Sequence, residues 1–207
     1  VQLGLDIDGE DAGDLSGWSV SLSSDGSRMA VGARFNDDNG SEAGHVRVYE
    51  WDGISWVQLG LDIDGETDDN QSGWSVSLSS DGSRMAIGAV SNDDNGSEAG
   101  HVRVYEWNGT GWVQLGLDVD GEAAGDQSGH SVSLSSDGSR MAIGAVSNDD
   151  NGSEAGHVRV YEWGDLAFDW IQLGLDIDGE AAGDQSGQSV SLSSDGSRIA
   201  IGARFND

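Results

Sequence analysis

The sequence predicts an all-β array of tandem four-stranded repeats, each about 56 residues long. Three observations carry this. One ten-residue segment, Val1–Glu10, returns at Val57 and Val113 and, with Ile at its head, at Ile171. Apolar and polar residues alternate with period two in several short runs, with no 3.6-residue periodicity between them. Gly, Asp and Asn punctuate those runs at regular intervals.

Taken in order, Trp56–Ile63 puts Val57, Leu59, Leu61 and Ile63 on one face of a strand. Trp18–Ser23 alternates in the same way, and Ser24-Asp25-Gly26-Ser27 is a tight turn in which glycine supplies positive φ. Met29–Ala33 is a short apolar run suited to a strand buried on both faces. Asp38-Asn39-Gly40 turns the chain again, and His45–Trp51 is another alternating strand. The units run 1–56, 57–112, 113–170 and, incomplete, 171–207. The longer third unit carries Gly164–Asp169 in place of Asn108–Gly111. Units two and three differ at six of their first 51 positions, four of them in Thr67–Asn70 opposite Ala123–Asp126. Four strands at this period suggest β-propeller blades. A linear β-solenoid-like stack satisfies the same periodicity, and both bury their core between neighbours. The chain opens on Val1 rather than Met and stops within a unit, which marks a processed product or part of something longer.

Composition narrows the function classes. Nine basic residues, all Arg, face 38 acidic ones, for a formal charge of −29. Nucleic acid and anionic membrane surfaces are excluded as partners, because both need a basic face. With no Cys there is no disulfide framework, thiolate metal site or Cys nucleophile. No apolar run is long enough for membrane insertion.

Three motifs recur in fixed order: Ser16-Gly17-Trp18-Ser19-Val20, Met29-Ala30-Val31-Gly32-Ala33 and Gly44-His45-Val46-Arg47-Val48-Tyr49. Together they resemble the FG-GAP repeat, the blade of integrin α-chain propellers, in a variant found in bacterial and algal surface proteins. The resemblance implies a propeller-like, extracellular or cell-surface, non-enzymatic protein. The repeat departs from that family at several points. Phe-Gly is Ser-Gly in every copy, and the Pro after Gly-Ala is Arg34, Val90, Val146 or Arg204. Where integrin-type blades carry a calcium loop, this chain has Ser23–Arg28 with one carboxylate, so that site does not carry over.

A different acidic loop is the candidate metal site. Asp6, Asp8, Glu10 and Asp14 recur as Asp62, Asp64, Glu66 and Asn70, as Asp118, Asp120, Glu122 and Asp126, and as Asp176, Asp178, Glu180 and Asp184. Closely spaced carboxylates suit Ca²⁺, which takes six to eight oxygens. The simpler reading of the same loops is solvated acidic strand ends. Asn39, Asn95, Asn108 and Asn151 head Asn-x-Ser/Thr sequons, candidate glycosylation sites, although Asn-Gly is also a preferred turn. His45, His101 and His157 repeat once per unit, which favours a structural role over a catalytic one. The Trp pairs at 51/56, 107/112 and 163/170 would stack across a hairpin or on a sugar. No nucleophile–base–acid set stands out. The expected function is therefore a structural or adhesive repeat protein that self-associates into an array or filament. The alternative is a Ca²⁺-dependent module for a glycan or protein ligand.

Overall fold

The computed structural model describes residues 2–206; Val1, where the first repeat begins, and Asp207 lie outside the described residues. Seventeen strands and no helix make up the described chain. In the first sheet, β1 (Ser19–Leu22), β2 (Arg28–Ala33) and β3 (His45–Trp51) form an antiparallel meander. The free edge of β3 takes two short pieces, β4 (Trp56–Gln58) and β5 (Ile63–Asp64), which together make a broken fourth strand. The second sheet repeats this with β6 (Ser72–Leu78), β7 (Arg84–Ala89), β8 (His101–Trp107), β9 (Trp112–Gln114) and β10 (Val119–Asp120). The third contains β11 (Ser128–Leu134), β12 (Arg140–Ala145), β13 (His157–Gly164), β14 (Asp169–Gln172) and β15 (Ile177–Asp178). A fourth is begun by β16 (Ser186–Leu192) and β17 (Ile199–Ala203). These are propeller-like blades that do not close into a ring. They run out of phase with the repeats counted from Val57, because the segment that opens each repeat closes the sheet before it.

The break in the fourth strand corrects the alternation expected over Trp56–Ile63. Gly60 lies at φ +87°, and the chain bulges between β4 and β5. Leu59 and Ile63 still reach the core, whereas Leu61 turns outward and is 86% exposed. A Cβ on Gly60 would sit 3.0 Å from the Trp107 ring, so glycine is needed both for the φ and for the space.

The core lies between sheets, not within one. Ala30, Val46, Val48 and Ile63 of the first blade meet Leu78, Met85, Ile87 and Tyr105 of the second. Ala86, Val102, Val104 and Val119 meet Leu134, Met141, Ile143 and Tyr161 in the same way at the next junction. Each large aliphatic side chain buried there contributes roughly 1.5–3 kcal/mol.

Polar groups register the blades. The Ser19, Ser75 and Ser131 hydroxyls each donate 2.7 Å bonds to the carbonyls of Gly73, Gly129 and Gly187 on the following blade. Ser21 and Ser77 accept from the Leu78 and Leu134 amides. At the Asp-Gly turns a hydrogen-bond chain passes from the Ser24 amide to Ser80, from Ser80 to Ser136, and from Ser136 to Ser194. Arg28, Arg84 and Arg140 bridge Glu50, Glu106 and Glu162 on their own blades to the Gly82, Gly138 and Gly196 carbonyls on the next. The serine-rich composition is thus the stitching of the stack.

Candidate metal centre

The strand break positions the site. Because β9 and β10 flank the bulge of the second blade, Asp118 between them is held near the start of β8, where His101 sits. The loop from β7 to β8 brings Asp94, and the connection arriving from the first blade brings Glu66. Ligand-capable atoms of Glu66, Asp94, His101 and Asp118 all lie within 4.8 Å of one another. Glu10, Asp38, His45 and Asp62 form the same group on the first blade, and Glu122, Asp150, His157 and Asp176 on the third.

Each histidine is buried, at 0–1% exposure, and neither ring nitrogen has a hydrogen-bond partner. Nδ1 stands 3.6, 3.9 and 3.8 Å from the glutamate Oε2 of Glu10, Glu66 and Glu122. These separations exceed hydrogen-bond length. The other glutamate oxygen faces Arg47, Arg103 or Arg159 at 3.6–3.8 Å. Burial, reinforced by the Arg103 charge, pushes His101 down to about 4, so its imidazole is neutral at pH 7, and burial lowers His157 in the same direction. Burial raises Asp64, Glu66 and Asp120 above the ordinary carboxylate range.

The acidic quartets read from the sequence do not converge as single loops. Asp62 joins the group of its own blade and Glu66 the group of the next, so one loop serves two successive sites; Asp118 and Glu122 divide in the same way. Asp6 and Glu180, at the two ends, join no such group among the described residues. Asp64, Asp120 and Asp178 pair in register with His45, His101 and His157, and Asp8 lends its carbonyl to Arg47. Asp14, Asp126 and Asp184 are buried loop caps, accepting from Asn36, Asn148 and Asn206 and from nearby amides. Asn70 accepts from Thr67 in the same loop. The histidines and Asp38, Asp94 and Asp150 were missing from the sequence-based set, since local spacing does not relate them. Their recurrence at fixed positions in every complete unit was the available signal.

A model of the FG-GAP repeat matches residues 7–49, 61–105 and 118–161, more than half of the chain. The chain belongs to the FG-GAP repeat family. No curated protein sequence matches it. Solved structures share the fold at low identity, two of them as follows. Hydrazine synthase of Kuenenia stuttgartiensis is 13% identical with a TM-score of 0.55, over 96% of this chain and 45% of that one. The periplasmic gluconolactonase of Pseudomonas aeruginosa is 19% identical with a TM-score of 0.55, over 88% and 48%. The chain therefore spans less than half the length of either.

Other sequence candidates fall into place on the FG-GAP blades. Trp107 and Trp112 face each other across β8 and β9 at 5.5 Å between centroids, and the Trp112 indole donates to the Leu59 carbonyl of the preceding blade. The Trp pairs thus join neighbouring outer edges. The Asn39, Asn95 and Asn151 side chains donate to the carbonyls of Gly65, Gly121 and Gly179, whereas Asn108 closes an exposed turn through its Oδ1. Arg34 lies over the rings of Trp18, Phe35 and Trp74 in one cation–π cluster.

The Asp-Gly turns offer a pH test. Hydrogen bonds from the Ser139 amide, then from the Ser135 and Ser139 hydroxyls, hold Asp137 down at about 2. The Ser27 amide and hydroxyl do the same for Asp25, and the Ser193 hydroxyl and Ser197 amide for Asp195. The folded value lies below the unfolded one, so this stabilisation is complete above about pH 4 and is lost as pH falls toward 2. In urea titrations, the stability difference between wild type and Asp137→Asn is expected to be constant above about pH 4. It should shrink toward its acid limit by pH 2; a pH-independent difference would refute the assignment.

Proposed function

We propose that the chain is a non-enzymatic structural and adhesive module of the cell surface or extracellular space, whose FG-GAP blades extend an array or filament through one repeated junction. The contrast between internal and terminal blade faces carries this reading. Leu78 and Leu134, inside junctions, are 7% and 8% exposed, whereas the equivalent Leu22 at the amino-terminal face is 58% exposed. Val20 and Trp18 beside it are exposed too. At the other end the faces of β16 and β17 lack the covering that β11 and β12 receive. The two end faces are the two halves of the internal junction, so a further blade, of a longer chain or of another copy, would fit either one. A heterologous contact of this kind propagates until it closes or grows into a fibre. The family's typical extracellular setting agrees with it, and no helix among the described residues is long and apolar enough to cross a membrane. The Glu–Asp–His–Asp groups and the serine and arginine bonds between blades recur blade by blade, which suits a building block better than a single catalytic centre.

The carboxylate clusters favour a second reading, a Ca²⁺-dependent module that takes a glycan or protein ligand on the loops at one face. Negative-stain electron microscopy of uncrosslinked protein, with and without EDTA, separates the two. Fibres with a regular axial repeat support the array. Discrete particles that bind a glycan array only when calcium is present support the module and defeat the array.

A further inference from the structure

We propose that each of the three Glu–Asp–His–Asp groups is a binding site for a divalent first-row transition metal of the Mn²⁺-to-Zn²⁺ type, held by one imidazole and three carboxylates. The inference is independent of whether the blades assemble.

Acidic side chains cluster on many surfaces without holding an ion. The histidine sets this cluster apart. His101 is wholly buried on its strand, and both its nitrogens lack partners. The same holds for His45 and His157. Repetition at three sites makes an isolated misfit an inadequate explanation. The 3.6–3.9 Å gap between Nδ1 and the glutamate oxygen is too long for a direct hydrogen bond. It is close to the separation, about 3.4 Å, of two ligands on one tetrahedral ion with bonds near 2.1 Å.

The surrounding groups orient the ligands as metal sites require. Arg103 faces one oxygen of Glu66 and leaves the other toward His101. Asn92 donates to Asp94, and Gln114 donates to one oxygen of Asp118. Asp120 lies opposite His101 in register, with its own Oδ1 buried and unpartnered. Glu66, Asp94, Asp118 and Asp120 carry four negative charges against the single positive charge of Arg103, which leaves a divalent cation welcome. The imidazole decides the class. Ca²⁺ and Mg²⁺ take oxygen ligands, whereas a mixed nitrogen and carboxylate set suits Mn²⁺, Fe²⁺ or Zn²⁺, with affinity rising from Mn²⁺ to Zn²⁺. Because Glu66 arrives from the preceding blade, the ion would tie successive blades together.

The test is titration of the EDTA-stripped 207-residue chain with Zn²⁺, Mn²⁺ and Ca²⁺, followed by calorimetry and native mass spectrometry. Three Zn²⁺ per chain are expected, with a rise in melting temperature and no displacement by equimolar Ca²⁺. Asp94→Asn, at an exposed side chain, should bind two, and the triple change at Asp38, Asp94 and Asp150 none, with unchanged circular dichroism. His101→Gln should also bind two; if it fails to fold, the aspartate series alone decides. A wild-type count other than three overturns the proposal. So does retention of three by Asp94→Asn, or displacement of Zn²⁺ by equimolar Ca²⁺.

Discussion

Replacing Gly88 with valine is expected to cost at least about 3 kcal/mol, placing it in the severe tail of single substitutions. Gly88 lies on β7, against the Gly129 backbone of the third blade. A Cβ there would collide with the Gly129 carbonyl and the Ser75 hydroxyl, the two groups joined by the 2.7 Å bond between the blades. The obstacle is backbone, which has no rotamer to move into, so the junction must open. Opening it removes the Ser75 bond and loosens the apolar contact between the blades. The structure supplies its own control. Gly111, in an exposed turn, has nothing within 4 Å of a built Cβ and needs no positive φ. Gly111→Ala should leave stability unchanged or raise it by up to about 1 kcal/mol. Denaturant midpoints of the two variants check this, and equal effects would refute the account.

That contrast bears on what the sequence could reveal. The strands were legible because each is short, alternating and bounded by an Asp-Gly or Asn-Gly turn. The apolar run Met29–Ala33 announced a strand covered on both faces, and β2 is one. Leu61 was misjudged because period two holds only while a strand stays regular, and the bulge at Gly60 reverses the facing residue. The candidate site was half legible. Asp62, Glu66, Asp118 and Glu122 were marked by their spacing, but local spacing groups residues within one loop, and the fold divides each loop between two blades. Asp14 and Asp126 matched the same acidic pattern and serve as loop caps. Proximity of His101 to Glu66 depends on how one blade is laid on the next, and no local pattern encodes that.

Leu22 and Leu78 occupy the same position in successive repeats, yet substitution by aspartate is expected to act on different processes. At Leu78 the side chain is buried between blades, and its amide donates to the Ser21 hydroxyl of the preceding blade. A carboxylate there would be taken out of water into an apolar junction, so Leu78→Asp should destabilise the chain by several kcal/mol. Leu22 is more than half exposed in the isolated chain. Leu22→Asp should therefore shift the melting temperature of dilute protein by only a degree or two. If the amino-terminal face receives the carboxy-terminal face of another copy, the same change places a carboxylate where Leu78 sits in the internal junction. A loss of about 3 kcal/mol in that contact weakens association roughly a hundredfold. Sedimentation velocity over a concentration series separates the outcomes. Assembly by the wild type and a monomeric, well-folded Leu22→Asp protein would identify the open face as the growing end. Equal assembly by both would place the contact elsewhere, and a wild type that stays monomeric at high concentration would defeat polymerisation of this chain. The experiment has this power because the molecule contains the interface it is proposed to make: the energetics of the unknown contact are those of the junction between the first and second blades, where every residue is already in view.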